Sequence, residues 1–391
     1  MSAPAAGEIY RVALPTGELE LAVHDSAFEL DALMGFAARA NAKRGFLFLS
    51  KVLGKHWPAA PAAMTEIHAS LESTIPELPG PVVFIAMAET AIGLGQGVFE
   101  AYLAARPGRE ALFLHTTRYR VDGVPTIEFE EAHSHAPRQF LHLPPDAATR
   151  ALLLGAKALV LVDDEASTGN TFLNLCDACR RLNPGIERVH LAAITNFMGP
   201  AATAALTQRF GLPVTVGAVL NGEYRFDAGP AAPPASPAQR YDPAAERGAS
   251  GGFGRFGLSG PLSVPADLVR RLAAQVRPGQ RVLVLGTGEF MHPAYLLGAA
   301  LAREGLDVVI QSSTRSPILT WGAVSAALTF PDNYGEGVAN FIYNVTPGQY
   351  EHVLICHETP PNAALFQFAR ALDARLFHFL SETHVEEIPV R

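Results

Sequence analysis

The sequence has little of what marks several large classes of protein. Its 391 residues contain 3 cysteines, too few for a disulfide framework, which favours a reducing compartment. The apolar runs are of strand length, and the amino terminus lacks the basic and apolar regions of a secretory signal, so neither a membrane span nor export is expected. A formal net charge of -8 gives no general attraction for nucleic acid or anionic membranes. We expect a cytoplasmic protein that binds neither nucleic acid nor membranes.

The glycine patterns of common nucleotide-binding loops are missing as well. Segment 158–182, ALVLVDDEASTGNTFLNLCDACRRL, has neither P-loop nor Gly-x-Gly-x-x-Gly spacing. GTGEF at 286–290 follows an apolar run, but Met291 stands where a third glycine would be, so NAD binding is a weak hypothesis. The Cys-x-x-Cys at 176–179 has no second ligand pair and fits a helix face, so we interpret it as core and not as a zinc site.

The chain does contain enough apolar sequence for two cores. Its length exceeds that of a usual single domain, and 49% of its residues are hydrophobic. Residues 227–252 are rich in Pro, Ala, Gly and Ser, and we interpret them as a linker. The predicted units are therefore residues 1–226 and residues 253–391.

Both units alternate β-rich apolar runs with helical patterns, which predicts α/β domains with mostly parallel sheets. The second unit is expected to be a smaller doubly wound domain. Ligands bind at the carboxyl ends of strands in such sheets, so strand ends are where we look for chemistry. The strand-forming runs are 81–89, 110–118, 156–164, 187–195, 280–289, 306–314 and 350–358.

Two acids and a loop of small polar residues follow the predicted strand 159–162. Asp163 and Asp164 stand at its carboxyl end, where carboxylates reach ribose hydroxyls or a Mg²⁺ ion that keeps its waters. The loop precedes a helical pattern, so its hydroxyls and backbone N–H groups would surround a phosphate at a helix N-terminus. The candidate phosphate-binding positions are Glu165, Ala166, Ser167, Thr168, Gly169, Asn170 and Thr171.

A turn that merely caps the helix is the simpler alternative, since Ser and Thr are ordinary N-cap residues. Capping explains one hydroxyl, but not two acids and a whole loop of small residues. Residues 159–171 resemble the phosphoribosyl pyrophosphate (PRPP) signature of type I phosphoribosyltransferases: four apolar residues, two acids, two variable positions, then Thr/Ser-Thr-Gly-x-Thr/Ser. Glu165 departs from the signature, where an aliphatic residue is usual, and either tunes metal or substrate contacts or faces solvent.

The resemblance implies a pyrophosphate-binding loop upstream. In 87–106 a strand end passes into a glycine-spaced helix start, and the turn carries Glu89, Thr90 and Ala91. A plain strand–turn–helix explains this stretch equally well. The next strand ends in Thr117 and Arg118, and an arginine there can make a forked contact with pyrophosphate; we favour Arg118 over Arg120.

Residues 129–142 lie where the resemblance places a mobile hood over the site. The hood would exclude water from an oxocarbenium-like centre, with His133 or His135 as catalytic groups and Arg138 as a phosphate contact. Histidines in a surface loop are more often merely solvated, and the Glu-His-Ser-His spacing also suggests a metal site. The basic and apolar segment 41–58 either helps to form a base-side pocket or packs with snorkelling lysines, and we favour the second interpretation.

The second unit has three ligand-like loops after its strands, which indicate a second active or binding site. Their candidate residues are Gly286, Thr287, Gly288, Glu289, Ser313, Thr314, Arg315, Ser316, Asp332 and Asn333. The STRSP motif at 313–317, between GTGEF and DNYGEGVANF, resembles the TRSP domain that follows a phosphoribosyltransferase domain in proteins of tellurium-resistance and stress operons. We expect this site to be separate, so that loss of Arg315 would leave PRPP binding intact.

The resemblance implies an orotate-phosphoribosyltransferase-like enzyme that uses Mg²⁺ and PRPP to modify an unidentified base-like acceptor. The second domain would process the nucleotide-like product. One alternative is a regulatory protein that senses PRPP without turnover, and another is an enzyme that runs the reaction in reverse. The resemblance also implies a possible homodimer and partners encoded in the same operon.

Overall fold

The computed structural model describes residues 7–39, 44–130, 138–229, 246–247, 252–335 and 337–390. No helix in these ranges is both long and apolar enough to cross a membrane. The helices are α1 (Leu30–Leu33), α2 (Pro61–Ser73), α3 (Ile92–Ala105), α4 (Ala147–Gly155), α5 (Asn170–Leu182), α6 (Gly199–Arg209), α7 (Ala266–Ala273), α8 (His292–Arg303) and α9 (Ala363–Leu372).

The strands of the first part of the chain are β1 (Glu8–Leu14), β2 (Gly17–Ser26), β3 (Met34–Ala38), β4 (Phe46–Ser50), β5 (Val82–Ala86), β6 (Ala111–His115), β7 (Arg120–Val121), β8 (Thr126–Glu130), β9 (Arg138–His142), β10 (Ala158–Ala166), β11 (Arg188–Asn196) and β12 (Val214–Ala228). Those of the second part are β13 (Glu246–Arg247), β14 (Arg281–Gly286), β15 (Asp307–Ser312), β16 (Ala327–Pro331), β17 (Ala339–Tyr343), β18 (His352–His357), β19 (Arg375–Phe379) and β20 (Val385–Ile388).

The first sheet has the strand order β1-β2-β12-β11-β10-β5-β6, and β10 lies near its centre. The strands from β12 to β6 are parallel, while β1 and β2 add an antiparallel edge. Side chains alternate between two cores: Val160 and Val162 face one, and Leu159 and Leu161 face the other. Helices therefore cover both faces, and the carboxyl ends of β5, β6 and β10 meet at one edge.

The second sheet has the order β15-β14-β18-β19-β20 and is parallel except for β20. Val282 and Val284 face one core, whereas Leu283 and Leu285 face another. A second domain with its own sheet thus follows the first, which confirms the predicted α/β fold class.

The two domains are joined by backbone pairing as well as by apolar contacts. Ala59 and Ile310 exchange backbone hydrogen bonds of 2.9 and 2.8 Å, so the segment before α2 pairs with β15, the edge strand of the second sheet. Phe113 of β6 and Leu258 exchange bonds of 2.8 and 2.9 Å at the edge of the first sheet. Gly254 makes that approach possible, because a Cβ there would lie 2.6 Å from the Phe113 ring.

A buried ion pair fixes the start of the second domain. Arg255 and Glu358, 4% and 3% exposed, form two hydrogen bonds of 3.2 and 2.9 Å between guanidinium and carboxylate. The hydroxyl of Tyr334 also donates to Glu358 (3.1 Å). Burial opposes the charge on Arg255, but the Glu358 carboxylate outweighs it and raises the pKa of Arg255. The pair links the chain after the predicted linker to the end of β18.

The seven predicted strand runs are confirmed as β5, β6, β10, β11, β14, β15 and β18. Two expectations were wrong in detail. Strand β12 continues to Ala228, into the predicted linker, and the third ligand-like loop, which begins at DNYGEGVANF, passes into β17 at Ala339. Cross-strand pairing extends both strands: β12 pairs with β2, which is distant in the chain, and β17 pairs with the neighbouring strand β16. Most of the predicted linker, residues 230–245 and 248–251, lies outside the described residues.

We predict that Arg255→Ala lowers the free energy of unfolding by about 3–5 kcal/mol, because it leaves the Glu358 carboxylate buried without its counter-charge. Arg375→Ala is the matched control, since its pair with Glu387 is partly exposed and is worth about 0–1 kcal/mol. Urea unfolding followed by circular dichroism measures both. Equal losses would contradict the assignment of Arg255 as an anchor.

Candidate active site

The two acids lie at the carboxyl end of the central strand. Because β10 continues to Ala166, Asp163 and Asp164 belong to the strand itself and do not merely follow it. Asp163 Oδ1 accepts a hydrogen bond from Asp164 N (2.9 Å). Burial raises the pKa of Asp164 above its ordinary value, and a side-chain hydrogen bond with Asp163 and the Arg44 charge offset this only in part. The ionised Asp164 side chain is therefore stabilised poorly by the protein alone.

The donor set at these acids suits Mg²⁺, which prefers oxygen ligands and keeps several waters. In the part of the chain that the structure describes, no group of three His, Cys, Asp or Glu side chains is placed to hold an ion on its own. A Mg²⁺ ion at Asp163 and Asp164 would therefore take its remaining ligands from water and substrate.

Glu165 is paired, which excludes the alternative that it simply faces solvent. Its Oε1 lies 2.5 Å from Arg44 NH2, just before β4. Burial raises the pKa of Glu165, and Arg44 opposes that shift. Arg39, at the end of β3, lies close to the same charges; burial and the neighbouring Arg44 lower its pKa to about 10. Glu165 thus ties the β3–β4 hairpin to the end of β10.

The small polar loop ends at the N-terminus of α5. Gly169 is the N-cap residue with φ 69°, and a Cβ there would lie 2.1 Å from Leu206 Cδ2, so both conformation and packing require glycine. The N–H groups of Ser167, Thr168 and Gly169 have no hydrogen-bond acceptor among the described residues. Asn170 is engaged, because its Oδ1 accepts from Arg209 (2.9 Å). The loop presents free donors and a helix N-terminus on the same side as the acids.

Glu89 lies between the end of β5 and the start of α3, where the turn was predicted. Its Oε1 is 2.5 Å from Nζ of Lys55, a residue 1% exposed. Burial disfavours the Glu89 carboxylate, but the Lys55 and Arg315 charges outweigh it and lower the pKa of Glu89. Burial lowers the pKa of Lys55, against the pull of Glu89. The interpretation of Lys55 as a snorkelling lysine was therefore wrong: its ammonium group is buried in an ion pair.

The end of β6 lies beside this turn. Arg118 donates to the carbonyl oxygen of Ala88 (3.1 Å), and so does Gln139 (3.2 Å). Thr117 is fully buried, and its hydroxyl donates to the carbonyl oxygen of Tyr119. Arg120 is exposed and pairs with Glu128. Arg118, rather than Arg120, is the arginine held at the Glu89 turn. Thr117 instead makes a local hydrogen bond at the end of β6.

Most of the polar residues in the second-domain loops bond to one another. Gly288 N donates to Ser313 (2.8 Å), Ser316 N to Thr314 (3.2 Å), Tyr334 N to Asp332 (2.7 Å) and Asn333 to Thr287 (3.5 Å). Gly286 admits no side chain, since a Cβ would lie 2.2 Å from the Phe290 carbonyl oxygen.

Arg315 and Glu289 face the first domain instead. Arg315 Nε is 3.7 Å from Glu89 Oε2, and Glu289 lies close enough to Lys55 to act on its pKa. The second-domain loops therefore adjoin the Glu89 turn, because β15 and the segment 54–59 pair through their backbones.

The remaining candidates are either exposed at the protein surface, buried in the core or outside the described residues. His133 and His135 fall in 131–137, which the structure does not describe. Arg138 is exposed, and its Nε is 3.2 Å from Glu128. Cys176 and Cys179 are buried on α5, and burial raises the pKa of Cys176 to about 12, which supports their interpretation as core.

Sequence reasoning missed Lys55, Tyr119, Arg255 and Glu358 as parts of this region. A lysine inside a buried apolar run was the one available signal, and it was interpreted as amphipathic packing. Nothing in the order of residues indicates that position 55 meets position 288, or that position 255 meets position 358.

Two carboxylates beside a small loop at a helix N-terminus, on a central parallel strand, are the groups expected of a site for a phosphorylated sugar. Family comparison agrees with that class. Residues 33–223 match the family described as phosphoribosyl transferase, and residues 252–372 match the family described as TRSP domain C terminus to PRTase_2. The two matches indicate a phosphoribosyltransferase domain followed by a TRSP domain, and therefore an enzyme of the phosphoribosyltransferase class.

Comparison with curated proteins found no match. Among solved structures, adenine phosphoribosyltransferase from Giardia lamblia is similar at 16% identity and a TM-score of 0.27, covering 40% of this chain and 80% of that one. The adenine enzyme from Trypanosoma brucei is 14% identical with a TM-score of 0.32, covering 48% and 77%. Orotate phosphoribosyltransferase from Francisella tularensis is 15% identical with a TM-score of 0.28, covering 45% and 73%.

We predict that Asp164→Asn raises the unfolding temperature at pH 7. A carboxyl whose folded-state pKa is raised favours folding while protonated, and that contribution is lost as pH rises from the unfolded pKa through the folded one. The ionised group therefore destabilises the folded state at neutral pH, and the amide removes that penalty.

Calorimetry of the unfolding transition measures the shift. Asp177→Asn, on the exposed face of α5, is the control and should leave the transition unchanged. A lower transition temperature for Asp164→Asn would contradict the prediction.

Proposed function

We propose that the protein is a Mg²⁺-dependent phosphoribosyltransferase that transfers the phosphoribosyl group of PRPP to a nitrogen of a base-like acceptor, with release of pyrophosphate. The observation that carries this proposal is the unit formed by Asp163, Asp164 and the 167–169 loop at the start of α5. It offers acids for a sugar and, within a few residues, N–H donors for a phosphate that have no acceptor in the described part of the chain. The phosphoribosyltransferase family match supports it.

In the proposed reaction the bond between C1 of the ribose and the pyrophosphate oxygen breaks, and the acceptor nitrogen forms a bond to C1 as it loses its proton. The loop from Ser167 to Thr171 holds the 5-phosphate, and Asp163 and Asp164 orient the ribose hydroxyls. Arg118 and the Glu89 turn lie on the side of the leaving group. Alignment and charge stabilisation supply most of the acceleration, because the chain brings no nucleophile of its own.

When bound, Mg²⁺ would neutralise part of the negative charge that develops on pyrophosphate. Asp163 and Asp164 are the residues that would hold it, through water or directly. A cation there also compensates the burial that raises the pKa of Asp164.

Further parts of the proposal rest on the sequence. They are the division into residues 1–226 and 253–391, the closure of the 129–142 hood with His133 or His135, a cytoplasmic location and a role in a stress operon. The acceptor is expected to be a nitrogen heterocycle, as it is for the transferase class that the site resembles.

Titration calorimetry with PRPP and Mg²⁺ tests the binding half of the proposal. The unaltered protein should bind, and the double variant Asp163→Asn/Asp164→Asn should lose at least about tenfold in affinity, since charge-assisted contacts are each worth about 1.5–3 kcal/mol. Asp177→Asn should bind as the unaltered protein does. Absence of PRPP binding by the unaltered chain would overturn the proposed function.

Phosphorus NMR of the protein with PRPP, Mg²⁺ and a panel of free bases tests turnover. Pyrophosphate should appear only when an acceptor is present. Binding without pyrophosphate release across the whole panel would favour a PRPP sensor instead.

We also predict that Gly169→Ala weakens PRPP binding and lowers the free energy of unfolding by about 1–3 kcal/mol, because its φ is positive and its Cβ would meet Leu206. Gly155→Ala is the control: a Cβ at the end of α4 meets no atom within 4 Å. If the two variants bind PRPP equally well, the loop is not the phosphate site.

A further inference from the structure

Four charged side chains meet where the two domains touch. Lys55 and Glu89 come from the first domain, and Glu289 and Arg315 come from the second; we call them the interface charge cluster. Glu89 has a cation on each carboxylate oxygen, with Lys55 Nζ at 2.5 Å from Oε1 and Arg315 Nε at 3.7 Å from Oε2. The second domain therefore contributes one of the two cations that hold the Glu89 carboxylate.

Lys55 is itself held by both domains. Its ammonium group pairs with Glu89 and also donates to the carbonyl oxygen of Gly288 (2.9 Å), in the loop after β14. That same oxygen accepts a bond from the Ser312 hydroxyl (2.9 Å), at the end of β15. Lys55 thus connects the Glu89 turn to two strand ends of the second sheet.

The backbone around Lys55 is fixed by the second domain as well. Ser312 N donates to the carbonyl oxygen of Gly54 (2.7 Å), and Ala59 pairs with Ile310 four residues beyond Lys55. Since these bonds lie on both sides of Lys55, its position depends on β15. The first domain alone does not determine where this ammonium group lies.

A second connection runs from Arg118 to the start of the TRSP domain. The residue next to Arg118, Tyr119, has its ring 5.6 Å from the Arg255 guanidinium, which is bound to Glu358. Both parts of the proposed pyrophosphate side, the Glu89 turn and the end of β6, therefore contact second-domain side chains.

The charges on this side of the site suit an anion. Lys55, Arg118 and Arg315 oppose Glu89 and Glu289, which leaves an excess of positive charge, while Arg255 and Glu358 neutralise each other. Glu289 is 6% exposed, and its Oε2 has no hydrogen-bond partner among the described residues. A buried carboxylate oxygen without a donor is costly, so we expect a ligand hydroxyl or a water molecule, and not a pyrophosphate oxygen, to donate to it.

We infer that the TRSP domain completes the phosphoribosyl-transfer site, with Arg315 and, through Lys55, the Gly288 loop positioning the Glu89 turn for PRPP and pyrophosphate. The inference rests on the proposed function and adds to it a requirement for a second-domain residue. Arg315 is a positioning residue, because it acts on the ligand through Glu89. The two domains then share one site, in contrast to a second domain that works on a released product.

Binding of Mg²⁺–pyrophosphate and Mg²⁺–PRPP to the full chain, measured by calorimetry, tests the inference. Arg315→Ala should weaken both ligands by about tenfold or more, the loss expected for one charge-assisted contact. Arg315→Lys keeps the charge and should recover most of the affinity, which a purely steric role would not allow. Arg375→Ala, whose pair with Glu387 lies at the edge of the second sheet, should bind as the unaltered chain does.

The outcomes separate this inference from the function on which it rests. If the unaltered chain binds neither ligand, the proposed function fails. If it binds and the folded Arg315→Ala variant binds equally well, only the inference fails.

Amide hydrogen exchange of the unaltered chain gives a test that needs no variant. Pyrophosphate should slow exchange in peptides that cover 286–290 and 313–317 as well as in those that cover 87–91. Protection confined to 87–91 would overturn the inference.

Discussion

The buried ion pair between Lys55 and Glu89 is the contact on which the arrangement of the site depends. A lysine that is 1% exposed is tolerated only beside an opposite charge, and Glu89 supplies that charge from the turn after β5. Because Lys55 also donates to the carbonyl oxygen of Gly288, the same pair connects the turn after β5 to the loop after β14. The turn that is proposed to bind pyrophosphate is therefore also part of the contact between the two domains.

A second charge pair organises the other side of the site. Arg44 and Glu165 join the β3–β4 hairpin to the end of β10, next to Asp163 and Asp164. Glu165 replaces the aliphatic residue that the PRPP signature usually has, and its role is to anchor a hairpin. Burial raises the pKa of Asp164 above its ordinary value, against the hydrogen bond with Asp163 and the Arg44 charge.

Much of the fold could be predicted from sequence because strand runs and helix patterns are local. Residues 82–86 and 282–285 are continuous apolar runs of strand length, and burial on both faces of a parallel sheet requires that composition. The loop from Ser167 to Thr171 was also predictable, since its acids, small residues and helix are consecutive. The end of β12 was not, because its strand character comes from β2, which is distant in the chain.

The sequence by itself determined the two α/β domains, the position of the acids at a strand end and the core role of Cys176 and Cys179. Only the tertiary structure decided that Lys55 is buried, that Glu165 binds Arg44 and that Arg315 lies beside Glu89. The physical reason is the distance along the chain over which each kind of interaction acts. Hydrophobic periodicity and turn chemistry act over a few residues, whereas an ion pair depends on which distant charges the packed sheets bring together.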